Sequence, residues 1–259
     1  MISSDGKKYI YEKHQLVEVI CQLRFPTILS IDTDTPAAFQ EHIRARFPRY
    51  EVHEESVPSP GGMQKQKIHS FISADGSYKL SLCKGFIALS TMRYRSWEDF
   101  AQWLDEPLGH FISVYKPAFF ERIGLRYLNG ISREKLEMEH CRWSDLVQSR
   151  YLGPLDDDDL DEATLTKCSV DVEMKLPGCL LRLHAGPGFI KRAVRTPKGI
   201  QQLQEPKPRF ILDLDLYSAG TLYLKDAAGI LETLHSEADR IFSEAITELL
   251  HDAMDPVEI

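Results

Sequence analysis

The sequence predicts an α+β fold made of two duplicated halves, each running β-α-β(3-4)-α. Three observations predict it. A strand pattern at residues 16–25 returns in altered form at residues 119–128. The two copies share a Leu-Arg-aromatic step, at residues 23–25 and 125–127. Each copy is followed by further strand patterns and then by a long amphipathic helical pattern, so the order of elements repeats as well as the letters.

The first half opens with the strand at residues 16–25, where every second residue is apolar. Thr35 and Pro36 are typical of a helix start, and apolar residues at spacing four continue from there until Pro48. Ser96 is predicted to cap a second helix, which ends before Pro117. Between these helices, strands are expected at residues 50–57, 64–72, 78–83 and 86–92, with a loop at residues 58–62.

The second half repeats this order with two insertions. After the strand at residues 119–128, a hairpin of residues 164–176 and 179–185 is expected, followed by a strand at residues 209–217. A helix is predicted over residues 227–254. The insertions are an acidic loop, residues 155–163, and a basic loop, residues 186–208. Both are expected to be mobile loops, because like charges repel and prolines cannot donate to a strand ladder.

The two halves are predicted as residues 1–117 and 118–259, packed as one unit and related by a pseudo-two-fold axis. The two closing helices are expected on one side of an antiparallel sheet. The opposite side would then be a charged surface, in a saddle-like or helix-grip-like arrangement. This prediction concerns architecture only, because a fold of this kind does not fix a function.

Composition favours a globular cytoplasmic protein with reduced thiols. The chain has 259 residues and a formal net charge of −8. An acidic protein does not attract nucleic acid or an anionic membrane through its overall field, so such binding needs a local basic patch. The five cysteines are scattered, without Cys-x-x-Cys spacing. No apolar run is long enough for a membrane span and the first residues are polar, so no membrane association is expected.

Several stretches resemble those of a sporadically distributed bacterial family of uncharacterised proteins of this chain's length. The most specific is the Arg-Ile-Gly-Leu-Arg-Tyr-x-Asn motif at residues 122–129, and a second is Asp-x-Asp-x-Tyr at residues 213–217. Weaker matches are residues 16–20 with Arg24, and a set on the last helix. Members of this family often carry Pro where this chain has Gln15. The resemblance implies no activity, cofactor or substrate, and a patchy distribution is common for genes of mobile or defence islands.

The first candidate site is the polar face of the predicted sheet. If the apolar face of each strand packs on the helices, the alternating polar residues must point to the other side. This face is either a binding surface or a solvated face with cross-strand ion pairs, which are common on one-sided antiparallel sheets. The residues expected on it are Glu18, Gln22, Arg24, Arg122, Arg126, Asp171, Glu173, Arg182, His184, Asp213 and Asp215.

The second candidate is the pair Asp213 and Asp215. Residues two apart on a strand share a face at about 7 Å. With Glu173 or His184 nearby, the two carboxylates are a possible metal site for nucleotide or phosphodiester chemistry. The alternative is that they pair with the arginines of the same face. The prediction is that the chain binds no metal and no cofactor, and the metal site is kept as an alternative.

The third candidate is the basic loop, with Lys191, Arg192 and Arg195. Residues 189–198 combine these cations with an aromatic residue, so they are a possible nucleic-acid contact or a dock for an acidic partner. Alternatively, they offset the acidic run at residues 156–162. No nucleophile motif or His-Cys constellation with catalytic spacing is present, so no catalytic residue is predicted.

The function expected from these features is that of a non-enzymatic binding or adaptor protein. It would bind a protein partner through the charged sheet face, within a bacterial defence or toxin-antitoxin-type locus. A metal-dependent nucleotide or phosphodiester enzyme and a nucleic-acid binder remain as alternatives.

Overall fold

The computed structural model describes residues 9–33, 36–59, 62–196 and 199–258. Strand exceeds helix, at 41% against 31%, and a large antiparallel sheet dominates, which confirms the α+β class. The six helices of the described residues are α1 (Ser30–Thr33), α2 (Ala37–Ile43), α3 (Trp97–Tyr115), α4 (Trp143–Leu146), α5 (Ala227–Ala245) and α6 (Glu248–Ala253).

The described residues form thirteen strands. In chain order they are β1 (Tyr9–Tyr11), β2 (Leu16–Arg24), β3 (Arg49–Ser59), β4 (Gly62–Ile72), β5 (Tyr78–Cys83), β6 (Phe86–Thr91), β7 (Phe120–Ile131), β8 (Val170–Leu176), β9 (Cys179–Gly188), β10 (Lys191–Thr196), β11 (Gly199–Gln204), β12 (Arg209–Leu222) and β13 (Pro256–Glu258).

Nine of these strands form one sheet, in the order β3-β4-β5-β6-β2-β7-β12-β9-β8. The meander from β3 to β6 and the hairpin of β8 and β9 are antiparallel, and β2 pairs antiparallel with β6. Two further pairs stand apart from this sheet: β10 with β11, and β1 with β13, where Tyr9 lies opposite Glu258. Within the described residues, no helix is long and apolar enough to cross a membrane.

The chain divides into two compact units, and neither is continuous in sequence. Unit 1 comprises residues 1–17, 127–215 and 236–259. Unit 2 comprises residues 18–126 and 216–235. The strands β2, β7 and β12 and the helix α5 therefore each contribute to both units.

The core of unit 2 lies between α2, α3 and one face of the strands. Every second residue of β2 is buried, as its alternation predicts, and Phe39, Phe71 and Phe100 are fully buried beside them. Tyr78 stacks on Trp103 with ring centroids 4.4 Å apart. The predicted cap of α3 is confirmed, because the Ser96 hydroxyl accepts a hydrogen bond from the Asp99 amide.

The core of unit 1 forms around β12 and α4. Phe210, Leu212 and Leu214 are fully buried on one face of β12. The Trp143 ring of α4 packs on Phe210, with centroids 5.5 Å apart. Leu250 of α6 is also fully buried, so this short helix belongs to the same core.

The prediction that residues 186–208 form a loop is wrong. Residues 191–196 and 199–204 form the antiparallel hairpin β10–β11. The prolines do not prevent it, because Pro187, Pro206 and Pro208 lie outside the paired residues. The predicted loop at residues 58–62 is likewise mostly strand, since β3 continues through Ser59 and β4 begins at Gly62.

The predicted helix over residues 227–254 is in fact two helices. α5 ends at Ala245, Ile246 forms a single β-bridge with Val147, and Thr247 caps α6. The apolar spacing continues across the break, so the sequence pattern alone did not show it. Similarly, the strand predicted from residue 164 begins only at Val170. The expected cap at Thr35 lies outside the described residues.

Candidate functional site

The polar face of β2 is present as predicted. Val19, Cys21 and Leu23 are fully buried, whereas Glu18 and Gln22 are half-buried and Arg24 is exposed. The Nε of Arg24 donates a hydrogen bond of 2.8 Å to the side-chain carbonyl of Gln22. This local pair holds the guanidinium against its own strand.

On β7, the side chain of Arg122 lies in space that Gly124 leaves open. A Cβ atom added at Gly124 would be 2.1 Å from Nη1 of Arg122, so any larger residue would displace the guanidinium. The same guanidinium lies over the ring of Tyr217 on β12, at 4.6 Å from its centroid. The Arg122 guanidinium therefore fills the space beside Gly124 on one side and lies over the Tyr217 ring on the other. Arg126, two residues beyond Gly124, is half-buried on the same face.

The candidates on β8 and β9 pair with each other across the two strands, as the alternative interpretation of the sequence expected. Glu173 lies opposite Arg182, and Asp171 lies opposite His184. Nε of Arg182 is 2.9 Å from Glu173, and Nδ1 of His184 is 2.7 Å from Asp171. The hydrogen bond from His184, with a second from Ser169, holds the pKa of the Asp171 carboxyl below its usual range. All four paired side chains are exposed, so each pair contributes little to stability.

Asp213 and Asp215 are half-buried and alternate with the fully buried leucines of β12. Neither residue is free of interactions. Glu173 and His184, the additional ligands that the sequence offered, are occupied by Arg182 and Asp171. Within the described part of the chain, no group of three or more His, Cys, Asp and Glu side chains could hold a metal ion.

The basic segment begins at an exposed Lys191 on β10. The side chains of Arg192 and Arg195 lie outside the part of the chain that the structure describes, and so does all of Lys198. The base of the hairpin is well defined. The buried guanidinium of Arg209 lies 2.6 Å from the Glu205 carboxylate, and the Glu205 amide donates a hydrogen bond to the Ile190 carbonyl.

A feature that the sequence did not predict is a cleft of about 950 Å³ in unit 1. It lies between the acidic segment and the residues that lead into β10. Most of its wall comes from residues 155–168, and the opposite side includes Phe189, whose side chain is 47% exposed. The charged residues that line it are Arg133, Glu139, Arg142, Asp158, Asp159, Asp161, Glu162 and Lys167.

One end of the acidic segment is held by Arg142. Its guanidinium donates hydrogen bonds to the carbonyls of Asp157 at 2.8 Å, Asp158 at 3.1 Å and Leu160 at 3.3 Å. It also pairs with the Asp158 carboxylate at 2.9 Å. One cation therefore contacts three backbone carbonyls and a carboxylate of the acidic segment, and the mobility of that segment stays a prediction.

The other end is held by Arg133 and Trp143. One oxygen of the Glu162 carboxylate accepts a hydrogen bond of 2.9 Å from Arg133, and the other accepts one of 2.7 Å from the Trp143 amide. The Arg133 guanidinium also lies over the Trp143 ring, 4.0 Å from its centroid. The two hydrogen bonds join residues 29 and 19 positions apart in the sequence, so no local pattern predicts them. The sequence indicated only that cations should lie near the acidic run.

Comparison of the chain with protein-family models and with curated proteins gives no match.

Proposed function

We propose that this is a non-enzymatic binding or adaptor protein that contacts a protein partner through the surface around Arg122. The observation that supports it is the arrangement of Arg122, Gly124 and Tyr217. A guanidinium held beside a glycine and over a tyrosine ring has few conformations to lose when a partner binds, which lowers the entropy that binding costs. Arginine and tyrosine are also the residue types that contribute most often to protein interfaces.

The proposed architecture remains the duplicated one. Counting outwards from β2, the strands are β6, β5 and β4, and counting outwards from β7 they are β12, β9 and β8. The strands β6 and β12 each lead towards a helix of 19 residues, α3 and α5. This correspondence supports a duplication with β10–β11 as an insertion in the second half. The pseudo-two-fold, saddle-like arrangement is part of the same proposal.

The proposed setting is the bacterial cytoplasm, in a defence or toxin-antitoxin-type locus, and the resemblance to the sporadically distributed family belongs to this proposal. All five cysteines are free, which suits a reducing compartment. The partner would be encoded close to this gene.

The test is affinity purification of the tagged protein from its native host, in wild-type and variant forms. Arg122→Ala and Tyr217→Ala are expected to weaken the recovery of a stoichiometric partner about tenfold, the loss typical of a residue that contributes about 1.4 kcal/mol. Gly124→Ala is the sharper variant, because it keeps every charge and only displaces the guanidinium. Gly109→Ala is the matched control, since the space around Gly109 in α3 is open.

The proposal fails if the partner is retained equally by all three variants, or if no stoichiometric partner is recovered. A divalent-cation thermal shift that Asp213→Asn and Asp215→Asn abolish would favour the metal-dependent enzyme instead. Salt-sensitive binding of DNA or RNA that is lost when Lys191, Arg192 and Arg195 are replaced by Ala would favour the nucleic-acid binder.

A further inference from the structure

The cleft of unit 1 has a net negative lining. Five carboxylates and three Lys or Arg side chains line it. Two of the carboxylates are neutralised within the wall, Glu162 by Arg133 and Asp158 by Arg142, and Glu139 pairs with Lys207 at 2.7 Å. The remaining carboxylates, Asp159 and Asp161, are exposed, and Lys167 is the remaining cation.

The cleft also has apolar surface beside these carboxylates. The Phe189 ring is 47% exposed, although its neighbour Ile190 is only 6% exposed and its carbonyl is bonded to the Glu205 amide. Phe189 is thus an exposed aromatic residue whose neighbour Ile190 is held by a backbone hydrogen bond. Leu160 and Leu165 also line the cleft and are half-buried. An exposed aromatic ring and exposed carboxylates that line the same cleft attract a cation through cation–π and Coulomb interactions.

The walls are held by contacts within the protein. Arg142 fixes residues 157–160 through their carbonyls, and Arg133 with Trp143 fixes Glu162. Because these arginines are already paired with protein groups, Lys167 is the one unpaired Lys or Arg among the described residues that line the cleft. The charge and shape of the cleft therefore favour a cationic ligand with an apolar part.

We propose that this cleft binds a basic, amphipathic peptide segment of a partner protein. A Lys or Arg side chain of the peptide would lie against Asp159 and Asp161, and a neighbouring apolar or aromatic side chain would pack on Phe189 and Leu160. The site shares no residue with the surface around Arg122, so it is a second interaction site and does not depend on the proposed function. A volume of about 950 Å³ accommodates a few side chains rather than a folded domain.

The test measures binding of synthetic peptides by isothermal titration calorimetry. The probe is acetyl-Lys-Leu-Arg-Phe-amide, with acetyl-Glu-Leu-Glu-Phe-amide and acetyl-Lys-Gly-Arg-Gly-amide as controls for charge and apolar content. The basic amphipathic peptide is expected to bind more tightly than either control, and to lose affinity as the NaCl concentration rises.

The variants are chosen to leave the wall intact. Asp161→Asn keeps the side-chain oxygen that accepts the Ala163 amide hydrogen bond, so the local turn is preserved. Asp159→Asn together with Asp161→Asn is expected to weaken binding of the basic peptide about fivefold, because exposed ion pairs are individually weak. Phe189→Ala is expected to weaken it by a similar factor. Glu173→Gln, which removes an exposed carboxylate of β8 in the same unit, is expected to have no effect and controls for general charge.

Three results would overturn the proposal. One is equal affinity for the basic and acidic peptides, or no heat of binding for the basic peptide at millimolar concentration. Another is binding that the Asn and Ala variants leave unchanged while their thermal unfolding matches the wild type. The third is saturable binding of calcium chloride or inorganic phosphate alone that excludes the peptide, which would make the cleft an ion site.

Discussion

His69 is a single residue whose protonation the fold opposes. It is 2% exposed in unit 2, and its Nδ1 lies 2.8 Å from the Tyr50 hydroxyl. Burial lowers the pKa of its imidazole below the ordinary value of 6.5, and Lys67 lowers it further, while the Ile31 carbonyl and Asp32 act in the opposite direction. Neutral His69 is therefore part of the folded state.

Because the folded-state pKa is depressed, the unfolded chain binds this proton first as the pH falls. The contribution to stability is complete above pH 6.5 and is lost progressively below it. We expect the free energy of unfolding to fall between pH 7 and pH 5, with a slope that approaches about 1.4 kcal/mol per pH unit. Denaturant titrations of the wild type and His69→Gln across this pH range measure the free energy of unfolding. Identical pH dependence in both proteins would contradict the assignment to His69.

Gln15 shows that a side chain can carry a contact that no spacing predicts. Its Oε1 accepts a hydrogen bond of 3.0 Å from the Ser132 amide, and its backbone carbonyl accepts one of 2.8 Å from the Gly130 amide. The sequence indicated only a change at the start of β2. In the structure, Gln15 joins the start of β2 to the end of β7. Its buried side-chain amide group satisfies the backbone N–H of Ser132, which is far away in sequence.

At the scale of elements, the break between α5 and α6 depends on Thr247. Its hydroxyl accepts a hydrogen bond of 3.3 Å from the Leu250 amide and donates one of 2.7 Å to the Asp145 carbonyl. Its own amide bonds the Leu146 carbonyl, so α6 is attached to the end of α4.

Thr247→Ala removes both hydroxyl contacts and is expected to lower the free energy of unfolding by about 1 kcal/mol. Thr247→Ser keeps the hydroxyl and is the matched control. Chemical denaturation of both variants measures the free energy of unfolding. An equal loss of stability in Thr247→Ser and Thr247→Ala would show that the methyl group rather than the cap matters.

The elements also show how far sequence reasoning reaches. The strand β2 was predictable, because Val19, Cys21 and Leu23 alternate with polar residues on a surface that is buried on one side. The hairpin β10–β11 was not, because the contacts at its base, Arg209 with Glu205 and Glu205 with Ile190, are not encoded in the alternation of its own residues. The role of Gly124 required the position of one arginine side chain. The cleft required contacts between segments far apart in the chain.

At the scale of the whole molecule, neither compact unit is a continuous stretch of chain. Unit 2 includes residues 216–235 as well as 18–126. Within it, the Trp97 indole N–H donates a hydrogen bond of 2.8 Å to Glu232, and the ring stacks on His235 with centroids 4.6 Å apart.

A fragment of residues 1–117 lacks those partners, so we expect it not to fold cooperatively by itself. Its tryptophan fluorescence should be shifted to longer wavelength, since Trp97 would meet water, and its thermal transition should be broad. Mixing it with a fragment of residues 118–259 is expected to restore a cooperative transition. Cooperative melting of the isolated first fragment would show instead that the predicted half is an autonomous domain.

The pairing of β1 with β13 places the two ends of the described chain side by side. Tyr9 and Glu258 are opposite each other in the ladder, and partners of this kind have Cα atoms about 5 Å apart. Any polypeptide attached before Tyr9 and any attached after Glu258 therefore leave from neighbouring points. Fluorescent proteins fused at both ends would transfer energy efficiently, and a short glycine-serine bridge would suffice to join the ends in a circular permutant opened at the exposed Asp75–Gly76 turn.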